Sequence, residues 1–313
     1  MASAVRIGLV GCGPWGRHIL RDLRSLGCVV PVMARSPGSV ANARDGGAER
    51  IVPRIAELGD LDGVVVATAT STHADVLDEV LNQYPRVPVF CEKPLTDNVQ
   101  RAEVLVARAA DHLFVMDKWR YHPGIIALRD VARSREFGDV IGLRTVRVAW
   151  GEAHADVDPV WTLTPHDLSI AIEILGDLPR PLAARADRHD GRMLGLSALL
   201  GDRPWLSVEV SARHVDDLRE VQLFCETGVA VLSGGYARSI RLCSSSPMGP
   251  VRKPAVVERA IPDTMPLLAE LDAFVSHVRG AGPPPRSSAA DALRVVRCIA
   301  ELRRLAGAED ATA

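Results

Sequence analysis

Lysine is almost missing from this chain. Only three of its 37 basic residues are lysines, Lys93, Lys118 and Lys253. An excess of either charge is missing too: 37 basic against 39 acidic side chains leave a net charge of −2. Without a basic excess there is no electrostatic footprint for nucleic acid or an anionic membrane. No apolar run approaches the length that spans a bilayer, and the first strand starts at Val5, too early for a signal peptide. The six cysteines are scattered, with no C-x-x-C or Cys/His metal spacing, and no metal site is expected. They read as buried thiols of a cytoplasmic protein in a reducing compartment.

What is there begins at Val5. Val5–Val10 is the short apolar run of a buried parallel strand, and it breaks into Gly11-Cys12-Gly13-Pro14-Trp15-Gly16. A helical pattern then continues through Ile19, Leu20 and Leu23. G-x-G-x-x-G between a strand and a helix points to a dinucleotide. Gly11 allows the tight turn, Gly13 lets backbone approach a pyrophosphate, and Gly16 lets helix pack on strand. Pro14 suits the first helical turn.

Strands and helices alternate through the first third: Cys28–Met33, Gly63–Thr68, Val87–Cys91 and His112–Met116 as strands, Ala74–Leu81 and Val99–Ala110 as helices. A loop is expected at Arg35–Gly38. This is the pattern of a doubly wound parallel sheet. After a helix near Gly124–Arg133, the alternation in Val140–Trp150 and five later runs implies an antiparallel sheet with one face covered. One helix, His166–Leu175, interrupts them. Ser244–Pro266 reads as a surface loop, Leu267–Val278 and Ala289–Leu305 as closing helices, and the tail from Gly307 as frayed. The expected division is a dinucleotide-binding domain over 1–118 and a second, α+β domain over 119–313.

The second strand ends Ala34-Arg35-Ser36, where an acidic residue would hold a ribose 2′-hydroxyl. A guanidinium there suits a 2′-phosphate, so NADP(H) is expected in preference to NAD(H). Arg35 also reads as one more surface arginine. Thr68, Thr70, Thr72 and His73 follow the next strand at the ligand-binding end of such sheets, where they equally read as turn, cap and first-turn residues. Glu92-Lys93-Pro94 places a rare lysine at the end of an apolar strand. Partly desolvated there, its ammonium would meet a substrate oxygen or the nicotinamide ribose, with Glu92 as charge partner. The plainer alternative is a surface Glu–Lys pair.

Four segments, GCGPWG (11–16), ATATSTHADVLDEVL (67–81), FCEKPL (90–95) and TPHDLSIAIEILG (164–176), resemble the Gfo/Idh/MocA oxidoreductase superfamily. The resemblance implies a Rossmann domain followed by a substrate-binding domain whose open, mostly antiparallel sheet forms homo-oligomer contacts. It implies hydride exchange between nicotinamide and a hydroxyl or keto carbon of a sugar, sugar nucleotide or cyclitol. By position Lys93 matches the lysine that binds the reacting oxygen, and His166 the general acid/base. A histidine that titrates near neutrality suits both proton directions. Arg120 and Tyr121 match a segment at the domain junction, where substrate contact and hinge packing are both open. Trp161 is a candidate pocket wall or plain core. The pattern often has Asp four residues before the histidine, and here that residue is Thr162; either Asp158 or Asp167 substitutes, or His166 works less strongly as a base. Two other functions stay open: reduction of another C=O or C=N group, and a non-catalytic dinucleotide-binding sensor.

Overall fold

The computed structural model describes residues 4–151, 156–244 and 255–308. The chain divides into two compact units, one made of residues 1–118 and 265–296, the other of 119–264 and 297–313.

In the first unit, strands β1 (Ile7–Val10), β2 (Val32–Met33), β3 (Ile51–Val52), β4 (Gly63–Val66), β5 (Val89–Glu92) and β6 (Leu113–Met116) form one parallel sheet. Its order, β3-β2-β1-β4-β5-β6, is that of a Rossmann sheet. The strands are buried on both faces, which is why they read as continuous apolar runs. Between them lie α1 (Gly16–Ser25), α2 (Pro37–Asp45), α3 (His73–Gln83) and α4 (Val99–Ala109).

Two sequence expectations need correcting here. The second strand is shorter than Cys28–Met33, because Pro31 has no N–H to give the ladder and only an isolated bridge joins Val29 to Arg6. A helix, α2, starts at Pro37 where a loop is expected. Only Ala43 of α2 is buried, so it carries almost no apolar stripe for the sequence to reveal.

The closing helix α7 (Pro266–Val278) belongs to this first unit and not to the second. Its Leu267, Leu271, Phe274 and Val275 join the core of Ile7, Leu9, Ile19, Leu23 and Phe90, and Phe274 stacks on Phe90 at 4.9 Å. The expected block 119–313 is therefore interrupted. The first part of α8 (Ala289–Leu305), through Val296, goes with the first unit as well.

The second unit is built on an eight-stranded sheet. Its strands are β7 (Val140–Trp150), β8 (Pro181–His189), β9 (Arg192–Leu200), β10 (Trp205–Ser211), β11 (Arg213–Cys225), β12 (Gly228–Ser233), β13 (Ser239–Ser244) and β14 (Val256–Ala260). Their order is β14-β13-β12-β11-β7-β10-β9-β8. All neighbours are antiparallel except β7 and β10, so the sheet is mixed. Helices α5 (Pro123–Ser134) and α6 (Pro159–Leu175) pack on it.

Helix α6 starts seven residues earlier than the expected His166. Pro159 takes the first helical position, where its missing N–H costs nothing, and Pro165 is carried inside the helix. The expected loop over Ser244–Pro266 contains β14, while residues 245–254 and the tail 309–313 lie outside the described residues. Among the described residues no helix is long and apolar enough to cross a membrane.

Candidate active site

The carboxyl edge of the parallel sheet gathers the first set of candidate residues. Gly11 has φ +93°, and a Cβ on it would meet the Ala67 carbonyl at 2.7 Å. A Cβ on Gly16 would come within 2.5 Å of the Gly11 carbonyl. Both glycines are thus demanded by close backbone approach. Gly13 is different: a Cβ there would meet nothing within 4 Å. The backbone is bare at that point and open to an incoming group, which is the cradle a pyrophosphate needs. Pro14 sits in the turn ahead of α1, not in its first turn, and Trp15 takes the N-cap position.

Beside this loop, α2 starts right after β2. Ser36 caps it, its hydroxyl oxygen accepting from the Ser39 N–H at 3.2 Å, and Asn42 donates to the Cys12 carbonyl at 3.0 Å. Arg35 is exposed and donates through Nε to the Pro53 carbonyl at 3.1 Å. Sequence reasoning did not find Ser39 or Asn42, because nothing marked α2 as a helix.

The loop after β4 is tied down by its own side chains. The Thr72 hydroxyl donates to the Ala69 carbonyl at 2.8 Å and lies 3.0 Å from the Thr68 hydroxyl, while Thr70 is buried in a short 3-10 turn. His73 is 1% exposed, with Nδ1 2.8 Å from the Pro94 carbonyl and Nε2 3.1 Å from the Thr68 carbonyl. It therefore fastens the β4 loop to the segment that carries Lys93.

Glu92 ends β5 and is 8% exposed. One carboxylate oxygen accepts from the Trp15 indole N–H, and the other from the Lys93 backbone N–H at 3.1 Å. Burial pushes the Glu92 carboxyl above its ordinary range; Lys93, Trp15 and Lys118 pull it back. The Lys118 ammonium lies over the Trp15 ring, 4.4 Å from its centroid. Behind Glu92 stands Glu270 of α7, 1% exposed, whose Oε2 has no hydrogen-bond partner. Burial and the negative neighbours Glu92 and Asp117 hold its carboxyl well above the usual range. Asp117 accepts from the Ser287 hydroxyl at 2.9 Å. The signal for Glu270 was in the sequence: it falls on the apolar stripe of Leu267, Leu271 and Phe274.

The second set of candidates lies on α6. His166 is in the middle of this helix, partly exposed, and so is not the first-turn residue the sequence implied. The next residue, Asp167, is buried and forms an ion pair with Arg147 of β7, at 2.9 Å and 3.4 Å from the two guanidinium nitrogens. Burial raises the Asp167 carboxyl and Arg147 opposes that rise. Asp158 pairs with Arg303, whose guanidinium also lies 5.6 Å from the Trp161 ring centroid. The two carboxylates expected as substitutes for position 162 are thus each committed to an arginine. Thr162 donates to the Pro159 carbonyl at 3.2 Å.

Arg120 is buried against Glu173 at 3.0 Å, and Arg129 takes the other oxygen of Glu173 at 2.7 Å. Tyr121 is buried next to it. Arg147 lies over Trp119, 4.6 Å from the ring centroid, and Trp119 stacks on His122 at 5.0 Å. His122 Nδ1 accepts from the Gly124 N–H, which leaves Nε2 to donate to the Gly235 carbonyl at 3.2 Å. Arg147 was missed in the sequence because it sits among the inward residues of β7, where a charge was not expected.

Residues 5–116 match the Gfo/Idh/MocA oxidoreductase family, NAD-binding Rossmann fold. The match spans all six strands of the first unit's sheet, whose order is that of a Rossmann fold. The chain is 28% identical over 203 residues to inositol 2-dehydrogenase 2 of Paenarthrobacter aurescens, a stretch that covers 60% of each. It is 28% identical over 142 residues to the rhizopine catabolism protein MocA of Rhizobium meliloti, 43% of this chain and 44% of that one. The chain thus spans about 60% or less of the length of these curated relatives. The whole fold is similar to UDP-N-acetylglucosamine 3-dehydrogenase of Acidithiobacillus ferrooxidans, with a TM-score of 0.81 over 97% of this chain and 98% of that one at 20% identity. It is also similar to levoglucosan dehydrogenase in complex with NADH, TM-score 0.83 at 14% identity, over 97% of each chain.

Proposed function

We propose that this protein is an NADP(H)-preferring dehydrogenase or reductase acting on a hydroxyl or keto carbon of a sugar-like or cyclitol substrate. The observation that carries the reading is the bare backbone at Gly13 beside a sheet edge that also presents Lys93. Gly11, Gly13, Gly16 and the start of α1 would hold the pyrophosphate. Arg35, with Ser36 and Ser39 at the start of α2, would hold a 2′-phosphate. When bound, the nicotinamide exchanges a hydride with the substrate carbon.

The chain supplies the rest of the chemistry. Lys93 binds the reacting oxygen and stabilises the negative charge that develops on it. His166 takes up or delivers the proton at that oxygen. Arg120 is committed to Glu173, which favours packing over substrate contact for that residue. The reading extends to a homo-oligomer, supported by the exposed side-chain rows of β8, and to the cytoplasm, supported by cysteines that carry no disulfide among the described residues.

The test is calorimetric titration with NADP⁺, NADPH, NAD⁺ and NADH, followed by a polyol and sugar panel. Tighter NADP(H) binding that falls about tenfold in Arg35→Ala is expected, the loss of one charge-assisted phosphate contact. Lys93→Ala should lose about a thousandfold or more in turnover with dinucleotide binding retained. Preferential NAD(H) binding would overturn the Arg35 assignment. Binding without turnover on any substrate would instead favour the sensor reading, which the commitment of Asp158 and Asp167 to arginines leaves in play.

A further inference from the structure

Arg147 and Arg219 stand directly opposite each other in the pairing of β7 with β11, so both side chains leave the same face of the sheet. Like charges at that spacing repel unless each is matched. Arg147 is matched: Asp167 takes two of its nitrogens, and its guanidinium lies over the Trp119 ring. Arg219 is held far more loosely. Its one ion pair among the described residues is with Asp217 at 3.6 Å, longer than a hydrogen bond, and the two side chains are 41% and 67% exposed. The neighbouring Glu220 points to the other face, where Arg144, Arg241 and Ser233 occupy its carboxylate.

The backbone beside Arg219 is bare. Gly234, whose N–H donates to the Arg219 carbonyl, has φ +91°, and a Cβ on it would meet nothing within 4 Å. A Cβ on Gly235 would first meet Trp119 at 3.5 Å and the Arg219 guanidinium at 3.6 Å. Trp119, Arg147, Arg219 and Gly234 line one recess, all within the second unit.

We propose that Arg219, beside the bare Gly234-Gly235 backbone, receives an anionic oxygen group of the substrate, a carboxylate or a phosphate. A guanidinium fork binds either group through two parallel N–H donors, and Asp217 holds this fork loosely enough to yield it. An anion there also relieves the repulsion between the two facing arginines. The sugar-like or cyclitol substrate is thereby narrowed to an acidic or phosphorylated one. Naming the substrate as the carrier rests on the dehydrogenase reading above; the anion site itself does not.

The chain has five tryptophans, so protein labelled with ¹⁵N at the indole gives five N–H signals, and Trp119→Phe assigns the one in the recess. The probes are glucuronate and glucose 6-phosphate at constant ionic strength, with glucose as the neutral control. The Trp119 signal should move saturably with at least one of the two acids, and glucose should need about tenfold more or fail to saturate. Arg219→Gln should raise the half-saturating concentration about tenfold or more. Asp217→Asn, which removes the competing carboxylate, should lower it about two- to threefold. The acid that acts at the lower concentration identifies the group as carboxylate or phosphate. An unmoved Trp119 signal with both acids, an equal response to glucose, or an unchanged midpoint in Arg219→Gln overturns the proposal. Should Arg219→Gln fail to fold, an unchanged or raised midpoint in Asp217→Asn overturns it instead. Dinucleotide titration of the same wild-type sample separates the two readings. No binding sinks the dehydrogenase reading and leaves a responding Trp119 as an anion site, whereas binding with an unmoved Trp119 sinks only the anion site.

Discussion

The two units hold their candidate residues by different means. At the carboxyl edge of the Rossmann sheet the fastenings are neutral: an indole N–H and a backbone N–H on Glu92, a serine cap on α2, backbone carbonyls on His73. On α6 and its neighbours they are buried or half-buried ion pairs: Arg147 with Asp167, Arg120 and Arg129 with Glu173, Arg303 with Asp158. Lys93 follows a buried carboxylate and His166 precedes one, so the sequence logic looks alike. The outcome is not. A carboxylate held by neutral donors keeps its charge only weakly and can be shifted by what surrounds it. One held by a guanidinium fixes the helix that carries it.

The largest effect should come from breaking the ionic fastening. Arg147→Met leaves Asp167 buried without its partner and should cost about 3–5 kcal/mol, read from the urea midpoint. Adding Asp167→Asn to that variant should recover part of the loss, and no recovery would mean that Arg147 matters for packing alone.

The neutral side gives an intermediate effect with a pH signature. The Glu270 carboxyl is raised in the folded protein, so the folded state holds a proton that the unfolded chain gives up above its ordinary value of 4.5. Stability should therefore fall as pH rises from about 4.5 toward the folded value, and level off above it. Glu270→Gln keeps the shape without the acid. It should flatten this slope and stabilise the protein by about 1–3 kcal/mol at pH 8. A urea midpoint with the same pH dependence in wild type and variant would contradict the raised Glu270 carboxyl.

The smallest effect is that of a single neutral cap. Ser36→Ala should cost about 1 kcal/mol and leave the ion-paired unit untouched, measured as the change in unfolding midpoint. A loss as large as that of Arg147→Met would erase the contrast between the units.

Much of this was legible in the chain. The parallel sheet announced itself because strands buried on both faces must be continuously apolar, and β7 matched its expected span of Val140–Trp150 because it alternates. The glycine loop was legible because Gly11 and Gly16 sit where backbone comes too close for a Cβ, while Gly13 leaves the backbone bare. What stayed hidden lacked a local pattern. Helix α2 buries one residue, α6 begins and continues through prolines, and the membership of α7 depends on a core contributed by residues from the first third of the chain. Asp117 and Lys118 were overlooked for the same reason, since only the fold makes them neighbours of Glu92, whereas Glu270 stood out on the apolar stripe of α7.

The return of α7 to the first unit also orders events at the ribosome. Leu267, Leu271 and Phe274 complete a core begun by Ile7, Leu9 and Phe90, so the first unit stays unfinished while residues 119–264 of the second are being synthesised. At about 5–20 residues per second that wait lasts many seconds, with the apolar surface meant for Phe274 still waiting for its cover. A fragment ending at Lys118 would hold every glycine of the fingerprint and remain without the helix that seals it. In this chain the first domain to be started cannot close until nearly all of the chain has been made.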